Sequence, residues 1–542
     1  MMKLIQKIAF LFMVIALEPQ FAISQKVEMG QEYESNARNN KPVLLGIKDG
    51  IFYVVRVTGY GNSIYMNLFR SDGKATMGAM LLGFSKFSND APFNEEKIYY
   101  TDNCHYFFEK YDQNLKQISS KELDVEFNAK KDIFDFVKFG MLGNQLFAIS
   151  YKFDEGKSEN ILQYHTVTDD GDINKSPTII SSYTTTNKYN KGLRDNSFRV
   201  LLSPDNKKMA IINAELEFPK NTSGTKSIEI QLFNEKAEEI SKERFDLPIT
   251  EKNVKLEKLK LSNTGDLAAL FKKETEEKKK DDPDAEYTLF TYLHSSKKLE
   301  EFAVKLEGKY TNDINFEFDD YNNLQVAGFF SGTNKSSAEG YFYQSINTSN
   351  ANKQKEAEAA FTEDFIVAAV GEKKAKKTDE LKNFHMRKII PLKDGRTILI
   401  AEKYYIIYDD NDFRYNYEDM YVIMLDKTGE YEWVQKVLKY QLTLNDGGLY
   451  CSFCSIANEN EVILIYNANR DDPDDRMTNT NKATAYQTTV PLDGSKPKTK
   501  KLFNAKELET IMVPKIFIQE SEESVLLYNI RGRFYKYGRV KI

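Results

Sequence analysis

Three cysteines in 542 residues exclude a fold built on disulfides. Cys451 and Cys454 have C-x-x-C spacing, but they lie in a strand-like run, residues 449–456. Residues three apart on a strand point to opposite faces, so this spacing reads as two small buried apolar residues, not a redox pair or shared metal site. Histidine is also scarce. His105, His165, His294 and His385 fall in different repeats without an H-E-x-x-H helix, and each reads as a strand residue and not a ligand. There is no G-x-S-x-G elbow and no P-loop, and Gly59-Tyr60-Gly61 lacks the third glycine of a dinucleotide fingerprint. Asp409-Asp410-Asn411-Asp412 opens like a calcium loop, yet Phe413-Arg414 stand where an oxygen ligand and the turn glycine belong. A net charge of −6 leaves no electrostatic footprint for nucleic acid. No catalytic residue, metal ligand or cofactor is expected from these patterns.

What is present begins at the N-terminus. Lys3 and Lys7 precede an apolar run of ten residues, 8–17, and Ala22-Ile23-Ser24 supplies a small-x-small pattern. This is the layout of a secretory signal, residues 1–24, with cleavage expected before Gln25. Ten apolar residues are too few to cross a hydrocarbon core of ~30 Å. No later run approaches that length, and no cysteine follows to carry a lipid. Residues 25–542 are therefore expected in the periplasm or at the cell surface, without a transmembrane anchor.

The rest of the chain repeats one phrase: an apolar strand, a tight Asn/Asp/Gly turn, another apolar strand. Clear copies turn at Lys48-Asp49-Gly50, Ser203-Pro204-Asp205-Asn206, Asn263-Thr264-Gly265, Lys393-Asp394-Gly395 and Asn458-Glu459-Asn460. Each is followed by an outer hairpin with a charged turn, such as Asp169-Asp170-Gly171 or Asp426-Lys427-Thr428-Gly429. Asn, Asp and Gly tolerate the positive φ that such connections require. Inner strands read as continuous apolar runs and outer strands as alternating ones. Abundant Tyr (32) and Phe (36) suit β-surfaces. Repetition at this spacing predicts an all-β propeller of seven or eight four-stranded blades in a single domain.

The units fall near residues 41–125, 136–180, 198–246, 254–306, 313–350, 385–440 and 449–503, with a final hairpin at 515–528 and 534–542. A further hairpin-like stretch at 64–82 leaves the count open by one. The last unit looks one strand short, and residues 26–33 can supply it, closing the ring. Residues 274–286 and 470–476 read as solvated acidic loops. Residues 350–384 read as one inserted helix, with Phe361, Phe365 and Ile366 docking it on the ring.

Ser203-Pro204-Asp205-Asn206-Lys207-Lys208 resembles the S-P-D-G-K turn of TolB-type bacterial propellers, with Asn206 in place of the usual glycine. Residues 419–433, Asp-Met-Tyr-Val-Ile-Met-Leu-Asp-Lys-Thr-Gly-Glu-Tyr-Glu-Trp, look like a repeat of secreted propellers. The stretch from Glu402-Lys403-Tyr404-Tyr405 through Asn445-Asp446-Gly447-Gly448 to Tyr466-Asn467 is similar to uncharacterised propellers of Bacteroidota-type bacteria. The resemblance covers the C-terminal third well, and its motifs are turns, so it implies a fold and hands over no catalytic residue. Such families include adaptors, glycan binders and a few enzymes.

Two functions follow. A non-catalytic envelope platform, binding a protein or a glycan, accounts for export, the long hairpin loops and the lack of a catalytic motif. The rival is an extracytoplasmic hydrolase or lyase on polysaccharide or peptide, its acid and base groups gathered from distant blades. A cluster of His, Arg and carboxylates at the channel mouth would favour the enzyme; an apolar or aromatic rim patch would favour the platform. The candidate binding residues are Phe413, Arg414, Tyr415 and Tyr417, aromatic and cationic side chains close together on one hairpin.

Overall fold

In the computed structural model, the described residues are 27–542 except 36–39, 59–104, 127–134, 155, 185–197, 217–224, 251–253, 275–284, 305, 307–308, 333–336, 351, 379, 410–411, 470–471, 473–475 and 479. The signal segment, the stretch at 64–82, Cys104 and most of both acidic loops lie outside them.

Eight antiparallel sheets of four main strands follow one another along the chain. Blades one to seven span residues 40–122, 135–184, 198–246, 254–303, 310–360, 384–437 and 453–504. The eighth takes three strands from residues 511–541, and its outer strand is Val27–Met29 from the other end of the chain. There Val27 pairs with Val540 and Met29 with Gly538, while Gly30 N donates to Tyr537 O at 2.9 Å. This is the ring closure that the strand-short last unit predicts.

Local chemistry explains the hairpins. Asp49 and Gly50 both have positive φ (52° and 75°), as a two-residue turn between twisted strands demands. Asn206 takes φ 55°, a value that asparagine adopts more readily than other side chains, so it replaces glycine there without difficulty. Second strands are buried on both faces, as in Met209–Glu215 and Glu461–Asn469, whereas the outer strand Glu239–Asp246 is largely exposed.

A chain this long needs a divided core. Eight apolar clusters fill the eight junctions between neighbouring blades, one cluster to each. First strands form the inner edge of every sheet, and at six of the eight junctions they pack on one another.

The helical expectation for 350–384 needs correction. Asn352–Ala360 is the outer strand of blade five, paired with Gly340–Asn347. Its Lys, Gln, Glu and Ala favour helix locally, but blade five has an open ladder of donors and acceptors at that edge, and pairing there outweighs propensity. The helix is shorter, Glu363–Val370, followed by a turn of helix at Glu372–Ala375. Thr362 caps it, its Oγ1 accepting from Phe365 N at 3.2 Å. Phe365, Ile366 and Ala369 enter the core between blades five and six, and Phe361 stacks on Phe365 with centroids 4.1 Å apart.

Candidate functional site

Six of the eight first strands slip register, each at about the same level of the ring. A bulge leaves residues outside the ladder and re-aims their side chains. In blades one, two and four the unpaired residues are Leu45, Val137 and Glu257. In blades five, six and eight they include Asp313, Arg387 and Lys515. Besides Glu257 in blade four, three charged side chains thus come from the bulges of blades five, six and eight at the inner edge of the ring.

They meet a buried carboxylate. Glu402, on the second strand of blade six, is fully buried. Arg387 Nε donates to its Oε2 at 2.8 Å, Lys439 Nζ to its Oε1 at 2.7 Å, and Ser452 Oγ to Oε2 at 3.0 Å. Burial alone would push this carboxyl up, but Lys439 and Arg387 outweigh it and hold it below the usual carboxylate range. Gln441 ties the cluster to blade seven: its Oε1 accepts from Lys439 Nζ and Ser452 N, and its Nε2 donates to Asn467 O at 2.7 Å.

Tyr417 is the centre of the cationic part. Lys515 Nζ, Arg387 and Lys439 Nζ stand 4.8, 5.7 and 5.7 Å from its ring centroid. Lys515 Nζ also donates to Tyr417 Oη and to Gly448 O, both at 3.1 Å. Burial pushes the Lys515 ammonium down to about 8. Burial raises the phenols instead, Tyr404 to about 12 and Tyr417 well above its ordinary value, so both stay neutral rings and donors at neutral pH. Beside them His385 Nδ1 lies 2.5 Å from Asp313 Oδ2, bridging blades six and five. Although burial opposes it, the His385 contact holds the Asp313 carboxyl below its usual range.

Above this cluster, blade six departs from its neighbours. Its middle strands, Thr397–Asp409 and Asp412–Leu425, pair along their whole length, but the first strand reaches only Lys403 and the outer strand pairs only with residues 420–425. The six residues from 404 to 409 therefore project past the ring, by roughly 20 Å at about 3.3 Å per residue. Gln441–Leu444 pairs with 414–417 and makes this a three-stranded flap.

The flap carries all four candidate binding residues and divides them. Tyr415 and Tyr417 are buried with Tyr404 and Cys451, and half-buried Phe413 packs on the same group. Arg414, on the opposite face, stands in register between Ile407 and Leu444, which are 43% and 51% exposed. Pleating explains the division, because alternate residues of a strand face opposite ways.

Cys451 and Cys454 are buried in different clusters, and burial pushes both thiols up to about 12. Asp313, Arg387, Glu402, Lys439 and Lys515 were not singled out in the sequence, since no motif joins residues so far apart. One signal was there: Glu402 interrupts the apolar run of its strand at a position that the pattern assigns to the core.

No family model matches the chain, and no curated protein is significantly similar to it. Solved structures superpose on it weakly. The polysaccharide lyase Uly1 does so with a TM-score of 0.38 and 10% identity, over 76% of this chain and 93% of that one. The WD40 domain of SCAP from fission yeast gives 0.34 and 10%, over 81% and 92%. A protein of unknown function from Bacteroides caccae gives 0.24 and 10%, over 61% and 90%. Similarity at this level carries no functional argument.

Proposed function

We propose that this chain is an exported, non-catalytic binding propeller of the cell envelope, holding a protein partner on the face where the first strands begin. The flap carries this reading. It is a three-stranded projection on one blade, and its outward face sets Ile407 and Leu444 in water on either side of Arg414. Exposed apolar side chains flanking an arginine make a patch that a protein partner can bury, arginine being one of the residue types enriched at interface hot spots. Export is supported by Lys3, Lys7, the apolar run 8–17 and Ala22-Ile23-Ser24. Affinity isolation from envelope fractions tests the reading, with Ile407→Asp/Leu444→Asp as the control bait. A partner retained by the wild type and lost by this variant supports it. Equal retention by both, or retention of a glycan only, overturns it.

The second reading is a hydrolase or lyase acting on polysaccharide or peptide. It is favoured by the gathering of His385, Arg387, Asp313 and Glu402 at the inner edge of the ring. Turnover of an acidic polysaccharide or peptide library, abolished by Lys515→Met, would establish it over the platform.

A further inference from the structure

Arg387 and Lys515 are not fully engaged by the residues around them. Arg387 donates to Glu402 through Nε, while its Nη2 is buried and has no hydrogen-bond partner among the described residues. An unpaired guanidinium donor inside a protein is destabilising, a penalty tolerated where the group has a task. Lys515 approaches the same tyrosine ring from blade eight. The neighbouring acids do not neutralise this pair. Glu402 is already shared between Arg387 and Lys439. Asp313 is paired with His385, and the Asp446 carboxylate accepts from Thr443 Oγ1 at 2.6 Å and from Gly448 N at 2.8 Å.

We propose that Arg387 and Lys515 together bind one carboxylate group of a ligand, at the inner edge of the ring beneath the flap of blade six. The proposal deepens the binding reading given above and rests on it for the face concerned. A carboxylate suits the site for two reasons. Three cations, Arg387, Lys439 and Lys515, surround Tyr417, and Glu402 offsets one of them in full. A guanidinium edge also presents planar donors that match a carboxylate plane. Both cations stand at bulges of first strands, Arg387 in blade six and Lys515 in blade eight, so the backbone aims them at the same ring. The group can belong to a sugar acid or to an acidic amino acid, because both present the same planar anion.

The test uses the mature chain and calorimetric titration with glucuronate and N-acetylglutamate, against glucose and N-acetylglutamine as uncharged counterparts. The proposal expects at least one acid to bind at least tenfold more tightly than its counterpart. It expects Lys515→Met to weaken that binding at least tenfold. Arg387→Lys keeps a cation beside Glu402 but removes the second guanidinium nitrogen, and the same loss is expected. Should that variant fail to fold, Lys515→Met decides, since Lys515 makes no hydrogen bond to Glu402. Preference for glucuronate assigns the group to a sugar and preference for N-acetylglutamate to a peptide; either supports the site. No preference for the acids over their counterparts, or unchanged affinity in folded Lys515→Met, overturns it. Partner capture through Ile407 and Leu444 is measured separately, so an empty titration with intact capture removes the carboxylate site and leaves the platform.

Discussion

Lys439 Nζ lies 2.7 Å from Glu402 Oε1, and both side chains are fully buried. Such a pair contributes little net stability relative to apolar residues of the same shape, but breaking it exposes a large penalty. Glu402→Leu would leave Lys439 and Arg387 without their counter-charge and should cost about 3–5 kcal/mol. Glu402→Leu/Lys439→Met should recover much of that loss. Denaturant midpoints of the wild type and the two variants check this. A single variant as stable as the wild type would contradict the account.

The same carboxylate makes stability depend on acid. Glu402 is held below its ordinary value of 4.5, so the folded state binds its proton less readily than the unfolded one. Its contribution is fully present above 4.5 and is lost as pH falls through the lower folded value. Glu402→Gln should therefore flatten the acid limb of a plot of melting temperature against pH. An unchanged limb would assign the acid sensitivity to other carboxylates.

Lys515 acts at the other end of the scale. Its ammonium is pushed from 10.5 down to about 8 by burial, so between those values the unfolded chain binds more protons. Stability should rise with pH across that window and level off above it. Lys515→Met should remove the rise.

The short helix 363–370 holds to the ring through its aromatic side chains. Phe365 is 1% exposed and its burial contributes ~1.5–3 kcal/mol, enough to fix a helix too short to persist alone. Phe365→Asp should open residues 361–378 to proteases while the blades stay folded. Equal resistance of variant and wild type would show that other contacts hold the segment.

Closure depends on the strand Val27–Met29. Deleting residues 25–35 should expose the edge of Phe534–Lys541, which invites pairing between chains. A lower melting temperature and concentration-dependent oligomers in light scattering are expected. N-terminal sequencing of the exported protein should read Gln25, which leaves the closing strand in place.

The blade pattern was legible because it is local. Asp49-Gly50, Asn206 and Gly395 mark turns through their own backbone preferences, and strand burial follows from alternation within a few residues. Even the missing outer strand of the last unit could be inferred, because an open ladder is a local deficit. The limits appeared wherever a residue's fate depended on distant partners. Residues 352–360 look helical by composition, and only the unpaired edge of Gly340–Asn347 makes them a strand. Tyr415 and Tyr417 look like a surface patch, yet the flap turns them onto Tyr404 and Cys451 and leaves Arg414 outside. Asp313, Arg387, Glu402, Lys439 and Lys515 come from three blades and a connector, joined by no shared spacing. Period and turn chemistry are written residue by residue, so the blades and their order follow from local patterning. Which charges share a low-dielectric site depends on how bulges and blades meet in three dimensions, and that only the folded ring decided.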